Sequence, residues 1–148
     1  MSFEQTIVAC FWVSSVAYVA VKWFVDYSVT VGLLGGPTHC APLFLSQKNL
    51  FHFASMALLV AVVVIGLVSR APVWAISVHA VGLWFFVGAY ARRSGYKKYR
   101  EILARMKSRL DMMPSPNNEE ALRRIERGLA KSDSELHDEL TEAANRRW

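Results

Sequence analysis

Charge is nearly absent from residues 1–91, where Lys22, Lys48 and Arg70 are the only Lys or Arg and Glu4 and Asp26 are the only acids. A water-soluble domain of that length, rich in Val, Leu, Phe and Trp, would have no charged face to turn to solvent, so the scarcity excludes one soluble globular domain. Cysteine is scarce as well. Cys10 and Cys40 are too few and too far apart for a zinc site, form no Cys-x-x-Cys pair, and are expected at different membrane depths, which argues against a disulfide between them. The sequence has no Walker A loop, no His-Glu-x-x-His and no Gly-x-Ser-x-Gly, nor any place where Ser, His and an acid gather. A catalyst needs a polar cluster, so these absences predict a non-enzymatic protein with no metal and no cofactor.

Long apolar runs are what the chain has instead. Residues 5–25, 50–69 and 73–91 each reach the roughly 20 residues that cross a ~30 Å hydrocarbon core at 1.5 Å rise. The predicted fold is all-α: a polytopic membrane helical bundle of three spans over residues 1–91, and a cytoplasmic helical hairpin extension over residues 92–148. The first run has no basic leader and exceeds the ~7–15 apolar residues of a signal peptide, so it reads as a retained span. Trp23, Tyr27, Trp74 and Tyr90 sit at run ends, where amphipathic rings settle at headgroup level. Lys22 and Asp26, four apart near the end of the first run, read as a helix-surface pair or as snorkelling side chains. Residues 28–45 carry no charge but contain Gly35-Gly36-Pro37. They are too apolar for an ordinary loop and too broken for a good helix, which predicts a re-entrant or interfacial element, with an ordered loop or a poor fourth span as alternatives.

Arg92, Arg93, Lys97, Lys98 and Arg100 directly follow the third run. The positive-inside rule then places the C-terminus in the cytoplasm and the N-terminus outside, with a bacterial inner (plasma) membrane as the expected location. The same five bases are expected to meet anionic lipid headgroups, at ~1 kcal/mol each when close to the surface. Residues 92–110 hold eight bases and one acid, and residues 111–148 six bases and nine acids. The distal acids are therefore positioned to neutralise the basic stem, within a subunit or between neighbours. Nucleic acid is not favoured as a partner, because Tyr96 and Tyr99 belong to an apolar stripe and not to the basic face.

That stripe comprises Tyr96, Tyr99, Leu103, Met106, Leu110 and Met113, spaced 3, 4, 3, 4, 3 as in a coiled coil. Ala75, Gly82, Ala89, Tyr96, Leu103 and Leu110 step by seven from the third span into the stem. Small residues suit close backbone approach in lipid and large ones supply drive in water, so this row predicts one contact seam, pairing subunits or covered by the chain's own distal helices. Helices are expected over about 92–113, 118–130 and 133–146, with Asn117 or Asn118 capping the second and Ser132 with Glu135 forming a capping box on the third.

His52 and His79 fall roughly 15 Å apart in depth at 1.5 Å per residue, which excludes paired axial ligation of one haem. His39 and His52 would meet at the cytoplasmic mouth only if residues 28–45 fold back. Ser14, Ser15, Ser77 and His79 are the polar span residues expected to line a pore if one exists. These features predict an integral membrane protein that self-associates through span three and its extension and forms a pore or channel. The alternatives are an accessory or assembly subunit of a larger membrane complex, packed on another membrane protein, and a membrane-tethered sensor or defence effector whose tail gates the spans. The span count, external N-terminus and basic end resemble the layout of three-span phage holins, small proteins that permeabilise the cytoplasmic membrane. The resemblance is one of layout without a shared motif, and the long tail departs from it.

Overall fold

The computed structural model describes residues 3–35, 48–112 and 118–146. Five helices follow one another: α1 (Phe3–Gly35), α2 (Lys48–Val68), α3 (Val73–Asp111), α4 (Glu119–Ala130) and α5 (Asp133–Arg146). No strand occurs among the described residues. By length and composition, α1, α2 and α3 are each able to cross a membrane.

The long helices differ in reach. The 21 residues of α2 extend about 31 Å, one hydrocarbon thickness, whereas the 33 of α1 and the 39 of α3 extend about 50 and 58 Å. α1 and α3 run parallel, with Ser15 beside His79, Lys22 beside Trp84 and Thr30 beside Gly95, so their excess length overhangs at the same end. There α5 packs on both helices and α4 on α3. At the opposite end a tight hairpin joins α2 to α3. The Ala71 N–H reaches the Gly66 carbonyl at 3.2 Å and the Arg70 N–H the Leu67 carbonyl at 3.0 Å. This is a Schellman closure in which Arg70, at φ 56°, takes the left-handed position that glycine usually fills. Pro72 then starts α3.

Residues 28–35, expected to belong to a re-entrant or interfacial element too broken for a good helix, are helical and form the last two turns of α1. Two of their apolar side chains have partners in the tail: Leu33 and Leu34 pack on a cluster formed by Tyr96, Leu136 and Leu140. Thr30 supports the helix locally by donating from its hydroxyl to the Asp26 carbonyl at 2.7 Å. The rest of the expected re-entrant segment, with His39 and Cys40, lies outside the described residues, as do Met113 and Asn117.

The step-of-seven row splits at the end of the apolar part of α3. Tyr96 is buried, and Tyr99 packs with it against the α5 leucines of the same chain. Leu103 meets α4 where a Cβ on Gly128 would stand 2.7 Å from its Cδ1. The regular spacing lapses at Met106, which is 40% exposed. In the apolar half the face of α3 turned to α1 and α2 holds Ile76, Gly88 and Ala91, with Gly95 continuing it past Arg92, a different row from the predicted one. Ala89 is exposed, Ala75 and Gly82 are half-buried, and a Cβ on Gly82 would meet only Phe86 of its own helix, at 4.0 Å.

The tail helices are fixed by their ends. The Ser132–Glu135 box forms: the Glu135 carboxylate accepts from the Ser132 N–H at 2.7 Å and from its hydroxyl at 2.8 Å, and the Glu135 N–H reaches back to that hydroxyl at 3.3 Å. Asn118 occupies the N-cap position of α4 but makes no side-chain cap bond there.

Candidate functional site

A polar stripe on an apolar helix builds the site. Ser15, Tyr18, Lys22, Asp26 and Thr30 recur on α1 every three or four residues, which puts them on one face, and that face turns inward. At its far end Ser15 Oγ lies 3.2 Å from His79 Nε2, with the Phe11 ring 5.1 Å from the imidazole and Trp12 edge-on at 6.3 Å. One turn on, Tyr18 is 0% exposed and its hydroxyl has no hydrogen-bond partner among the described residues.

The next turn carries an ion pair. Lys22 Nζ donates to Asp26 Oδ2 at 2.6 Å, with the two side chains only 8% and 12% exposed. The ammonium also stands 4.7 Å from the centre of the Trp84 ring, a cation–π contact that partly replaces lost hydration. Gly88 admits the pair. A Cβ there would lie 3.0 Å from Asp26 Oδ2, 3.9 Å from Lys22 Nζ and 4.0 Å from an Arg92 guanidinium nitrogen. Gly95 does the same one crossing further, where a Cβ would stand 2.7 Å from Thr30 Cγ2. Glycine here sets how close the helices come, in addition to weakening α3 as a helix former.

Beyond the pair, a cavity of about 270 Å³ opens between α1, α3 and α5, lined among others by Lys22, Asp26, Thr30, Arg92, His137 and Asn145. α5 is held over it by the Leu136 and Leu140 cluster and by a 3.3 Å contact between the Tyr96 hydroxyl and His137 Nδ1. Burial raises the Tyr96 hydroxyl above its ordinary pKa, the Arg92 charge opposing and Asp133 and Asp138 adding, so it stays protonated at neutral pH and able to donate to that nitrogen.

Of the pore candidates, Ser15 and His79 are brought together inside the bundle, Ser14 is half-buried, and Ser77 is exposed on the outer face. The five stem bases separate. Arg100 binds Asp133 at 2.8 Å and the Lys131 carbonyl at 2.8 Å, Arg93 is 3.9 Å from Asp133, and Lys98 pairs with Glu101 at 3.1 Å. Lys97 is exposed, and Arg92 is half-buried at the cavity. Lys107 pairs with Glu126 at 2.7 Å and Lys131 with Glu139 at 2.8 Å, so distal acids answer stem and tail bases within one chain.

Lys22 and Asp26, expected as a surface pair or as snorkelling side chains, are enclosed, with side chains only 8% and 12% exposed. The signal that marks them is the 3–4 spacing with Ser15, Tyr18 and Thr30, because a polar row on an otherwise apolar helix has to face protein. Among the described residues no three His, Cys, Asp or Glu side chains gather as a metal site, and Cys10 is an exposed free thiol. The chain matches no known family model, no curated protein and no solved structure.

Proposed function

We propose that this chain is a non-enzymatic integral membrane protein in which the tail, on the cytoplasmic side, acts as a seated cap that sets the state of the span bundle. Three spans carry it in a plasma membrane, with the basic end of α3 inside and the α2–α3 hairpin outside. The observation that supports this is the junction of α1, α3 and α5: Tyr96, Leu136 and Leu140 form one core with Leu33 and Leu34 of a helix that comes directly from the bundle. Movement of α5 would act on α1 and, four residues before Thr30, on the Lys22–Asp26 pair. A membrane-tethered sensor or effector works through such a coupling. In proteoliposomes, Leu136→Asp should expose residues 119–146 to added protease and change ion flux relative to the parent protein. If the tail is freely cleaved in the unmodified protein, the cap reading fails.

A second reading, self-association into a pore, draws on the outer stripe of α3, where Gly82 is open and Ala89 exposed. It moves the contact from the stem, whose apolar face is taken by α4 and α5, to the lipid-facing side. Gly82→Leu should reduce oligomer mass in detergent, and a protein that is monomeric before the change would rule this out.

A further inference from the structure

We infer that the cavity beneath α5 is a binding site for a phosphate group, presented by an anionic lipid headgroup at the membrane surface or as a free phosphate. The cavity, about 270 Å³, lies at the level of Arg92, where the apolar part of α3 ends, and so at the headgroup layer of a bilayer that α3 crosses. Its charge is unbalanced. Lys22 and Asp26 satisfy one another at 2.6 Å, which leaves the Arg92 guanidinium as a whole positive charge with no hydrogen bond or ion pair among the described residues.

Arg92 is half-buried and does not extend away from the bundle: one of its nitrogens lies 4.0 Å from the Cβ position of Gly88, so the guanidinium folds back toward the ion pair. The neighbouring bases behave differently, since Arg93 and Arg100 are turned to Asp133 of the tail. A planar fork of N–H donors at a cavity that carries both polar and apolar side chains suits a tetrahedral oxyanion, the apolar ones limiting competition from water. His137 and Asn145 on α5 supply further polar groups at the rim. The carbonyl end of α5 opposes an anion, but a helix end carries roughly half a unit charge, less than the unit charge of Arg92.

This inference rests on the seated-cap reading, because α5 forms one wall of the cavity. It turns a diffuse attraction of five bases for lipid into one defined contact, and it makes ligand binding favour the seated tail, since only the seated tail completes the site.

The full chain in uncharged detergent is titrated calorimetrically with dioctanoyl phosphatidylglycerol and, separately, with inorganic phosphate, and tail protection from protease is followed in the same samples. The expected result is saturable binding that Arg92→Gln weakens by about tenfold, the loss of one charged hydrogen bond, whereas Arg93→Gln changes it little. Asn145→Asp, at an exposed rim position, should weaken binding without disturbing the fold. Binding of the lipid alone assigns the site to a headgroup, and equal binding of inorganic phosphate assigns it to a soluble phosphate; both uphold the site. Absence of saturable binding, equal loss in Arg92→Gln and Arg93→Gln, or indifference to Arg92→Gln overturns it. A tail cleaved freely in the unmodified protein refutes the cap, whereas a protected tail without Arg92-dependent binding refutes only the phosphate site.

Discussion

α3 is packed by opposite rules on the two sides of Arg92. Before it, contact with α1 is made through Gly88 and Ala91, with Gly95 just beyond, so that backbones nearly touch and an ion pair fits between them. After it, contact with α4 and α5 is made through Tyr96, Tyr99 and Leu103, and the charges stand at the rim as Arg100–Asp133 and Lys107–Glu126. In lipid a large apolar side chain gains little by leaving its solvent, so association depends on close fit and on polar groups that have nowhere else to go. In water the same side chain gains about 25 cal/mol for each Å² covered, so large residues lead and charges stay outside.

Breaking one half of the buried pair tests this contrast most severely. Asp26→Leu leaves Lys22 charged and uncompensated and should cost about 3–5 kcal/mol, whereas Lys22→Met with Asp26→Leu should be near neutral or stabilising. Reversible unfolding of the detergent-solubilised protein compares the two; equal losses would mean that the pair contributes net stability of its own. In the tail, Leu136 is 0% exposed, and Leu136→Ala should cost about 2–5 kcal/mol and act on α5 first, read as faster hydrogen exchange over residues 133–146.

The glycines sharpen the contrast at a smaller scale. Gly95→Ala drives a Cβ into Thr30 and should cost about 1–3 kcal/mol. Gly82→Ala, on the open side of the same helix, should gain roughly 0.5–1 kcal/mol from backbone entropy, and thermal midpoints of the two variants should move in opposite directions. The smallest effect concerns the tail alone. Hydrogen bonds from the Ser132 N–H and hydroxyl hold the Glu135 carboxyl below its ordinary range. A group whose folded pKa is depressed adds stability that is complete above its unfolded value and is lost as pH falls through the folded one. Acidification below the usual carboxylate range should therefore fray the start of α5, seen in the Ser132 amide resonance, and Glu135→Gln should flatten that response.

Much of the architecture is legible in residue order. The spacing of charge-free runs marks the three long helices, the absence of proline before Pro114 lets α3 continue past Arg92, and Ser132 with Glu135 marks the start of α5. These are local properties, set by helix length, capping chemistry and the place where charge begins. The helicity of residues 28–35 was not legible, because Gly32 and Gly35 argue against a helix until Leu33 and Leu34 are seen against Leu136 and Leu140. Nor was the inward face of the apolar part of α3. The row at 75, 82 and 89 and the row at 88, 91 and 95 are both small, and only the position of α1 selects between them.

The site shows the same division. Residue types and spacing alone placed Ser15, Tyr18 and Lys22 on one side of a helix, since a helix returns to the same face every 3.6 residues, and the continuation of α1 to Gly35 added Asp26 and Thr30 to that side. Only the tertiary structure decided that this side is buried, that Arg92 and α5 close a cavity over it, and that the stem bases are answered by acids of their own chain. Helix periodicity is written in adjacent residues, whereas the partner of a face depends on segments far along the chain whose approach is set by packing as a whole.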